Sequence, residues 1–474
     1  MKKTILAAAA LVVLAAFPLQ AKVKLPSVIG DNMVLQQKSE ATLWGWAEPG
    51  ARITIKPSWT DREYAVEAAA GEGRWETKVA TPEAGGPYTI EISDGEPLVL
   101  SDVLIGEVWF CSGQSNMEMP VKGFDCQPVA GSADVILGAA PERRIRMCTV
   151  TRKISRTPLE ECTAKWEKNT PAAVANASAT AYFFAEYLER TLDVPVGILI
   201  ADWGGTPIEA WMDREALAAF PEFDLGFLGE TAGEPSPYSP CVLYNGMVNP
   251  VVPYTLRGFL WYQGEANRGR AEQYSRLQPA YVEMMRRKWG NESMPFYYVQ
   301  IAPFNYAGPE DVQGALLREA QMKNLEAIPH SGMAVTLDIG DYDCIHPADK
   351  QEVGKRLAYL ALANDYGFGS VIAANAPVYR SMEVRDGKAV LTFAVGQLGL
   401  APLGHVLSGF EVAGADKVFH PATWAAITGH DKVTVTCDKV AEPVAVRYCF
   451  KDVVQPSLYN CFGIPASSFR TDSW

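Results

Sequence analysis

The pattern of apolar and polar residues divides the chain into three stretches. Between residues 22 and 104, short alternating runs separated by glycine and proline turns predict a small β-sandwich. Between 105 and 377, apolar runs of strand length alternate with longer segments whose apolar positions recur at helical spacing. From 378 to 474 the short strand-like runs return. This order predicts an α/β domain with a three-layer, doubly wound parallel sheet, flanked by two small β-rich domains.

The middle stretch provides the elements on which a site could be built. Its apolar strands are predicted at 108–111, 196–201, 256–262, 296–300 and 333–337, and its helices near 177–190, 271–289, 310–327 and 348–365. In open α/β folds, ligands bind outside the carboxyl ends of the strands. Polar residues that directly follow these strands are therefore the first candidates for chemistry.

The earliest strand end carries a candidate nucleophile. Val108–Cys111 is followed by Gly113-Gln114-Ser115, and a strand-to-helix turn there would present the Ser115 hydroxyl at the edge of the sheet. The alternative is that Ser115 only caps the helix, because serine is a favoured N-cap residue.

A histidine at the same edge could act as the partner base. The chain has five histidines, namely His330, His346, His405, His420 and His430. Only His346 follows a strand of the middle stretch, and a helix is predicted directly after it. An imidazole there could accept the Ser115 proton, while the nearby Asp343 carboxylate holds its tautomer. The alternative is a histidine that merely starts the helix.

Five ordered motifs carry a family resemblance. They are Gly113–Glu118, Trp203–Trp211, Trp261–Asn267, Asp338–Asp341 and Ile345–Pro347. Together they resemble the SGNH-hydrolase superfamily and, within it, the sialate O-acetylesterases. Weaker similarity extends toward both ends of the chain, at Val34–Gln36, Gly45–Ala47 and Phe469–Asp472. The resemblance implies an esterase that removes O-acetyl groups from a sugar, with O-acetylated sialic acid as the leading substrate, and that uses no cofactor.

The same resemblance implies the groups that would stabilise a negative oxygen in the transition state. In that superfamily they are the nucleophile's own N–H, a glycine N–H and an amide side chain, which correspond here to Ser115, Gly205 and Gln263. Gly205 and Gln263 each follow a predicted strand end. Each aimed donor lowers the barrier by about 3 kcal/mol. The alternatives are an ordinary turn at Gly205 and a loop-closing hydrogen bond from Gln263.

One departure from the family pattern concerns the acid. Close relatives often read Asp-Ile-His-Pro, whereas Cys344 stands at the aspartate position here. Asp343 fits the wider Asp-x-x-His spacing and is the preferred acid, with Asp341 and Asp338 on the same loop as alternatives.

Two aromatic residues flank the proposed catalytic loops and are candidate sugar contacts. They are Trp203 and Tyr342. An aromatic face suits a sugar ring, although most aromatic side chains of a chain like this pack in the core.

Composition narrows the cellular setting. Residues 1–21 have the Lys-Lys start, apolar run and small terminal residue of a signal peptide, which predicts export to the periplasm or beyond the cell. No later run is long enough for a transmembrane helix, so no membrane insertion is expected. The net charge of −13 disfavours nucleic acid as a partner. The nine cysteines follow no regular framework and no zinc-binding motif occurs, so no metal is expected.

Other functions remain open at this level. An acetylesterase acting on xylan or another plant or host glycan would carry similar motifs. A non-catalytic glycan-binding protein is the contrasting class, since flanking β-sandwiches commonly serve recognition. An α/β-hydrolase is disfavoured, because the chain has no Gly-x-Ser-x-Gly elbow.

Overall fold

The structure, a computed structural model, describes residues 23–229 and 233–474. The predicted signal peptide lies outside the described residues. The first strands form the N-terminal β region: β1 (Val34–Gln36), β2 (Glu40–Trp46), β3 (Arg52–Pro57), β4 (Tyr64–Glu67), β5 (Arg74–Ala80) and β6 (Gly85–Ser93). β2 pairs with β5 in a separate two-stranded sheet, and β3 pairs with β4 and β6. These pairings are all antiparallel, as expected for short alternating runs.

The longest strand, β7 (Pro97–Gly113), connects this region to the central sheet. Its first half pairs with β6 and its second half lies between two central strands. The side chains of the second half are buried without interruption, as in a strand covered on both faces. The domain boundary predicted at residue 104 therefore falls inside a continuous strand.

The remaining strands of the central sheet are β8 (Ile145–Thr149), β9 (Trp166–Lys168), β10 (Val196–Asp202), β11 (Gly258–Tyr262), β12 (Phe296–Val299) and β13 (Ser331–Ala334). Their order is β13-β12-β11-β7-β10-β8-β9. Every pair is parallel except β8 with β9, so the fold is α/β with a mixed sheet. The carboxyl ends of the parallel strands consequently lie along one edge.

The helices are α1 (Ser115–Glu118), α2 (Ser132–Leu137), α3 (Pro171–Asn176), α4 (Ala179–Leu192), α5 (Arg214–Leu217), α6 (Ala271–Lys288), α7 (Gln313–Ala327) and α8 (Lys350–Asp365). The four longest agree with the predicted helices to within three residues. α4 packs against α8, and α6 packs against α7. The core is divided in the same way, because Trp109 clusters with α4 and α8 while its neighbour Phe110 clusters with α6.

The C-terminal region contains ten short strands: β14 (Val378–Arg385), β15 (Lys388–Ala394), β16 (Leu400–Ala401), β17 (Phe410–Ala413), β18 (Phe419–Pro421), β19 (Trp424–Gly429), β20 (Lys432–Thr436), β21 (Ala445–Tyr448), β22 (Tyr459–Asn460) and β23 (Phe469–Arg470). They form three antiparallel sheets. Arg470 binds Glu319 on α7 through two hydrogen bonds of 3.1 and 3.2 Å. This pair ties the C-terminal region to the central domain.

Candidate active site

The site centres on a hydrogen bond between residues 231 positions apart. The Ser115 Oγ lies 2.8 Å from His346 Nε2. Ser115 begins α1 directly after β7, and His346 lies between β13 and α8. Gln114 is the N-cap of α1, and in the described part of the chain that helix has no side-chain capping hydrogen bond. The Ser115 hydroxyl is therefore directed to the imidazole rather than used as a helix cap.

The other nitrogen of the imidazole ring fixes the tautomer. His346 Nδ1 lies 2.5 Å from Gln127 Oε1, in the irregular segment between α1 and α2. An amide oxygen can only accept a hydrogen bond, so Nδ1 carries the proton and donates it. Nε2 is then left to accept from the Ser115 hydroxyl. Gln127 was not among the residues singled out from the sequence.

The hydrogen bond expected between Asp343 and His346 is not among those of the described residues. Asp343 is exposed, and its own N–H donates to Asp341 Oδ1 at 2.8 Å. Asp338 binds Arg356 through both carboxylate oxygens, each at 2.7 Å. These carboxylates are exposed or already bound to other groups, so the Gln127 amide, and not a carboxylate, hydrogen-bonds the His346 ring.

The surroundings of His346 keep its ring neutral. Burial lowers the pKa of His346 to about 4; the positive charge of Lys350 acts in the same direction, and Glu118 opposes both. The ring of Phe124 packs edge-on against the imidazole, with centroids 5.3 Å apart. At neutral pH the imidazole is therefore in the form that can accept a proton.

Two backbone donors beside Ser115 are available to a substrate. The N–H groups of Ser115 and Gly205 have no hydrogen-bond acceptor in the described part of the chain. Gly205 is exposed and has a φ of +74°, a conformation that favours glycine. Both are candidates for binding a developing oxyanion.

Gln263 is arranged differently from the expected direct donor. Its side-chain nitrogen donates both hydrogens within the protein, to Thr206 O at 3.2 Å and to Asn267 Oδ1 at 2.7 Å. Asn267 Oδ1 also accepts from the Ile208 N–H at 3.0 Å. Gln263 and Asn267 therefore hold the turn that follows β10, and the Gln263 N–H groups are already occupied.

Glu118 connects the Ser115 helix to the same turn. Its Oε2 accepts from the Gly204 N–H at 2.5 Å, and its Oε1 lies 2.5 Å from Arg152 Nη2. A Cβ at position 204 would lie 3.3 Å from the Ser115 Cβ and 2.9 Å from Glu118 Oε2. Glycine at 204 thus allows the turn to pack closely against the helix. Glu118 is the last residue of the Gly113–Glu118 motif, and its place in that motif is the sequence signal that could have pointed to this contact.

A cavity of about 320 Å³ opens beside this arrangement. Its lining includes Glu118, Phe124, Arg152, Ser178 and Asp202. Burial and then the charge of Glu118 raise the pKa of Asp202 to about 7, whereas Arg152 opposes the rise. A carboxyl group that is partly protonated at neutral pH can donate as well as accept, which suits a hydroxylated ligand.

The two predicted sugar contacts differ in exposure. Trp203 is half-buried, and the guanidinium of Arg152 lies 5.6 Å from its ring centroid. Tyr342 is exposed on the loop that precedes His346. Tyr238, which the sequence did not single out, is also exposed and lies 3.5 Å from the place of a Cβ at Gly205.

Metal, membrane and disulfide features add little to the site. Across residues 23–229 and 233–474, no group of three His, Cys, Asp or Glu side chains could hold a metal ion. No helix in these ranges has both the length and the apolar character that a membrane crossing requires. The nine cysteines all lie in these ranges, and none is disulfide-bonded.

The geometry defines a class of enzyme. A serine hydroxyl hydrogen-bonded to a neutral imidazole, beside two backbone N–H groups that have no acceptor within residues 23–229 and 233–474, is the arrangement of a serine-type ester hydrolase. The arrangement lies at the edge of the mixed sheet where the carboxyl ends of its parallel strands meet.

The comparisons identify the family. The family described as carbohydrate esterase, sialic acid-specific acetylesterase, matches residues 105–363. The chain belongs to this family and is a carboxylic ester hydrolase, as the sequence motifs predicted.

Individual relatives extend the likeness beyond the central domain. The human sialate O-acetylesterase is 29% identical in an alignment of 406 residues that covers 78% of this chain and 76% of the human protein. The mouse enzyme is 28% identical over 430 residues, covering 78% of each chain. A solved carbohydrate acetylesterase from Xanthomonas citri is 36% identical with a TM-score of 0.86, over 95% of this chain and 100% of that one. These findings confirm a carbohydrate O-acetylesterase.

Proposed function

We propose that this protein removes O-acetyl groups from a sugar through an acetyl-Ser115 intermediate, with O-acetylated sialic acid as the leading substrate. The observation that carries the proposal is the 2.8 Å contact between Ser115 Oγ and His346 Nε2, with Nδ1 held by Gln127. The human and mouse relatives named as sialate O-acetylesterases support the choice of sugar.

The chemical steps follow from the tautomer. The Ser115 oxygen attacks the acetyl carbonyl carbon while its proton passes to His346 Nε2. The tetrahedral oxyanion binds the N–H groups of Ser115 and Gly205. His346 then donates its proton to the sugar oxygen as the ester bond breaks, which leaves the acetyl group on Ser115. Water, deprotonated by the same imidazole, releases acetate and restores Ser115.

The proposal gives Gln263 an indirect role. Because its N–H groups donate to Thr206 O and Asn267 Oδ1, it positions the turn that carries Gly205. The oxyanion is then held mainly by backbone donors, and the cavity beside Glu118 and Arg152 receives the sugar.

Two further features of the proposal concern architecture and location. The two core clusters, one with α4 and α8 and one with α6 and α7, support a three-layer SGNH arrangement. The apolar N-terminal run supports export to the periplasm or the medium. N-terminal sequencing of the exported protein should give a chain that begins near Lys22. A mature protein that retains residues 1–21 would contradict the proposed export.

A second candidate substrate is a neutral acetylated glycan such as xylan. The observation in its favour is that the Arg152 guanidinium, which lines the cavity, is already paired with Glu118. A sialate carboxylate would have to compete with that pair, whereas a neutral sugar would not.

Acetate release across a substrate panel tests the proposal. The panel should hold O-acetylated sialic acids, acetylated xylan, another acetylated plant glycan and p-nitrophenyl acetate. We expect acetate release from p-nitrophenyl acetate and from the O-acetylated sialic acids, with the highest kcat/KM on an acetylated sialic acid. The highest value on xylan would select the neutral-glycan candidate, and no release from any ester would contradict esterase activity.

A pair of variants separates Gln127 from Asp343. In Gln127→Ala the imidazole loses the acceptor that fixes its tautomer, so kcat/KM should fall about 100-fold with little change in KM. In Asp343→Asn it should fall less than about 2-fold, because that exposed carboxylate makes no hydrogen bond to the ring. Gln127→Glu keeps an acceptor and should restore most of the rate. The opposite ranking of the first two variants would return the acid role to Asp343.

A further inference from the structure

A buried polar network lies directly behind the Ser115–His346 pair. Asn116, the residue after Ser115, is fully buried. Its Nδ2 donates to Glu265 Oε1 at 2.6 Å and to the Ile345 carbonyl at 3.1 Å. Ile345 precedes His346. One side chain therefore joins the segment that holds the serine to the segment that holds the histidine.

The network ends at a buried lysine. Lys350, in the first turn of α8, donates from Nζ to Asn116 Oδ1 at 2.5 Å. It is fully buried, and its ammonium lies 5.4 Å from the ring centroid of Tyr262. Such burial is costly for a lone charge, and Glu265 supplies the opposite charge across Asn116. The arrangement is a charged pair bridged by the neighbour of the nucleophile.

We propose that Asn116, Glu265 and Lys350 form a positioning device that fixes the His346 segment against the Ser115 helix. The same device places the buried Lys350 ammonium one hydrogen-bonded side chain away from the His346 segment, where its charge opposes protonation of the ring. The inference rests on the proposed function, because it assigns these residues a task in that reaction. None of the three needs to touch the substrate.

The charges around His346 support the second half of the inference. Ser115 from α1 and Gln127 from the following segment hydrogen-bond the ring, and Phe124 packs against it. The charges that act on the ring are those of Lys350 on α8 and Glu118 on α1. Glu118 raises the pKa of His346, whereas burial and Lys350 lower it. At His346, the positive charge of Lys350 therefore offsets the effect of the Glu118 carboxylate.

Lys350 is charged in the pH range where this matters. Burial lowers the pKa of Lys350 to about 7, while the negative charge of Glu265 opposes that shift. Below that pH the side chain is an ammonium, so it carries its charge while His346 titrates near pH 4. His346 must be neutral to accept the Ser115 proton, so activity is lost as the pH falls through its pKa.

The test is the acidic limb of the kcat/KM profile for p-nitrophenyl acetate. Lys350→Met keeps an unbranched side chain that is one heavy atom shorter and removes the charge, so the pKa of His346 should rise. The acidic limb should therefore shift to higher pH by about 1 unit. The kcat at pH 7 should also fall roughly 10-fold, because His346 is held less firmly against Ser115. Lys355→Met is the matched control, because Lys355 lies on the same helix and pairs with Glu352 at 3.7 Å. Its profile should stay that of the parent.

A double variant guards against misfolding. Lys350→Met/Glu265→Gln removes both buried charges together, so neither is left unpaired. It should show the same upward shift of the acidic limb. A purely structural role would lower kcat and leave the limb in place, which would overturn the inference, as would failure of both variants to fold. An inactive parent enzyme would instead contradict the proposed function itself.

Discussion

Replacing Ser115 with alanine is expected to lower kcat for acetyl ester hydrolysis by at least about 10⁴-fold. The variant loses the oxygen that would carry the acetyl group, and His346 Nε2 loses the partner that lies 2.8 Å away. Stability should change little, because the hydroxyl caps no helix and Ser115 is only partly buried. The measurement is acetate release together with a thermal unfolding curve.

A second serine provides the control for the Ser115 variant. Ser381→Ala removes an exposed hydroxyl from β14 in the C-terminal region and should leave both the rate and the unfolding midpoint unchanged. If Ser115→Ala released acetate as fast as the parent, the covalent mechanism would be excluded. If it lost both activity and folding, the serine would be structural instead.

The pairing of Ser115 with His346 could be anticipated because it depends on sheet topology. Each residue follows a strand of the central sheet, and β7 and β13 are parallel members of it. Parallel strands bring their carboxyl ends to one edge however far apart they are in the chain. The hydrophobic periodicity and the positions of the strand ends were therefore enough to predict that two residues 231 positions apart lie close together.

The partner of His346 could not be anticipated in this way. Gln127 lies in an irregular segment between α1 and α2, where no periodic pattern indicates the path of the chain. Asp343 was favoured by its spacing from His346, but spacing does not determine which side chains a loop turns outward. The loop exposes Asp343 and leaves the ring to an amide.

The burial of Lys350 is a second feature that the sequence alone could not predict. A lysine in the first turn of a helix would ordinarily be solvated, since charged side chains are seldom fully buried without a partner. Its burial depends on Asn116 and Glu265, which come from two other parts of the chain. Only the folded structure brings these partners together.

The sequence pattern did not reveal that a single strand, β7, crosses the predicted domain boundary. The boundary predicted at residue 104 lies close to the point where the side chains of β7 change from alternating exposure to continuous burial. The strand instead continues, because its two halves pair in succession with β6 and with β10 and β11. A change of burial pattern therefore marked a change of neighbours rather than the end of an element.

Gly113→Ala is expected to disrupt the site through the backbone alone. A Cβ at position 113 would lie 2.1 Å from the Tyr262 carbonyl oxygen and 2.7 Å from its carbon, which belong to the neighbouring strand. The φ of Gly113 is +150°, a backbone conformation that residues other than glycine rarely adopt. Since both contacts are to the backbone of a buried strand, no rotamer change can relieve them.

The result should be a loss of at least about 3 kcal/mol in the free energy of unfolding. Activity should fall more than about 100-fold in the fraction that still folds, because β11 and the Ser115 turn must separate. Gly71→Ala is the matched control, since a Cβ there would meet no atom within 4 Å and the same methyl group is added. Denaturant unfolding and acetate release measured on both variants separate the outcomes. If Gly113→Ala matched Gly71→Ala in stability and rate, the close packing of β7 on β11 would not be what holds Ser115 at the sheet edge.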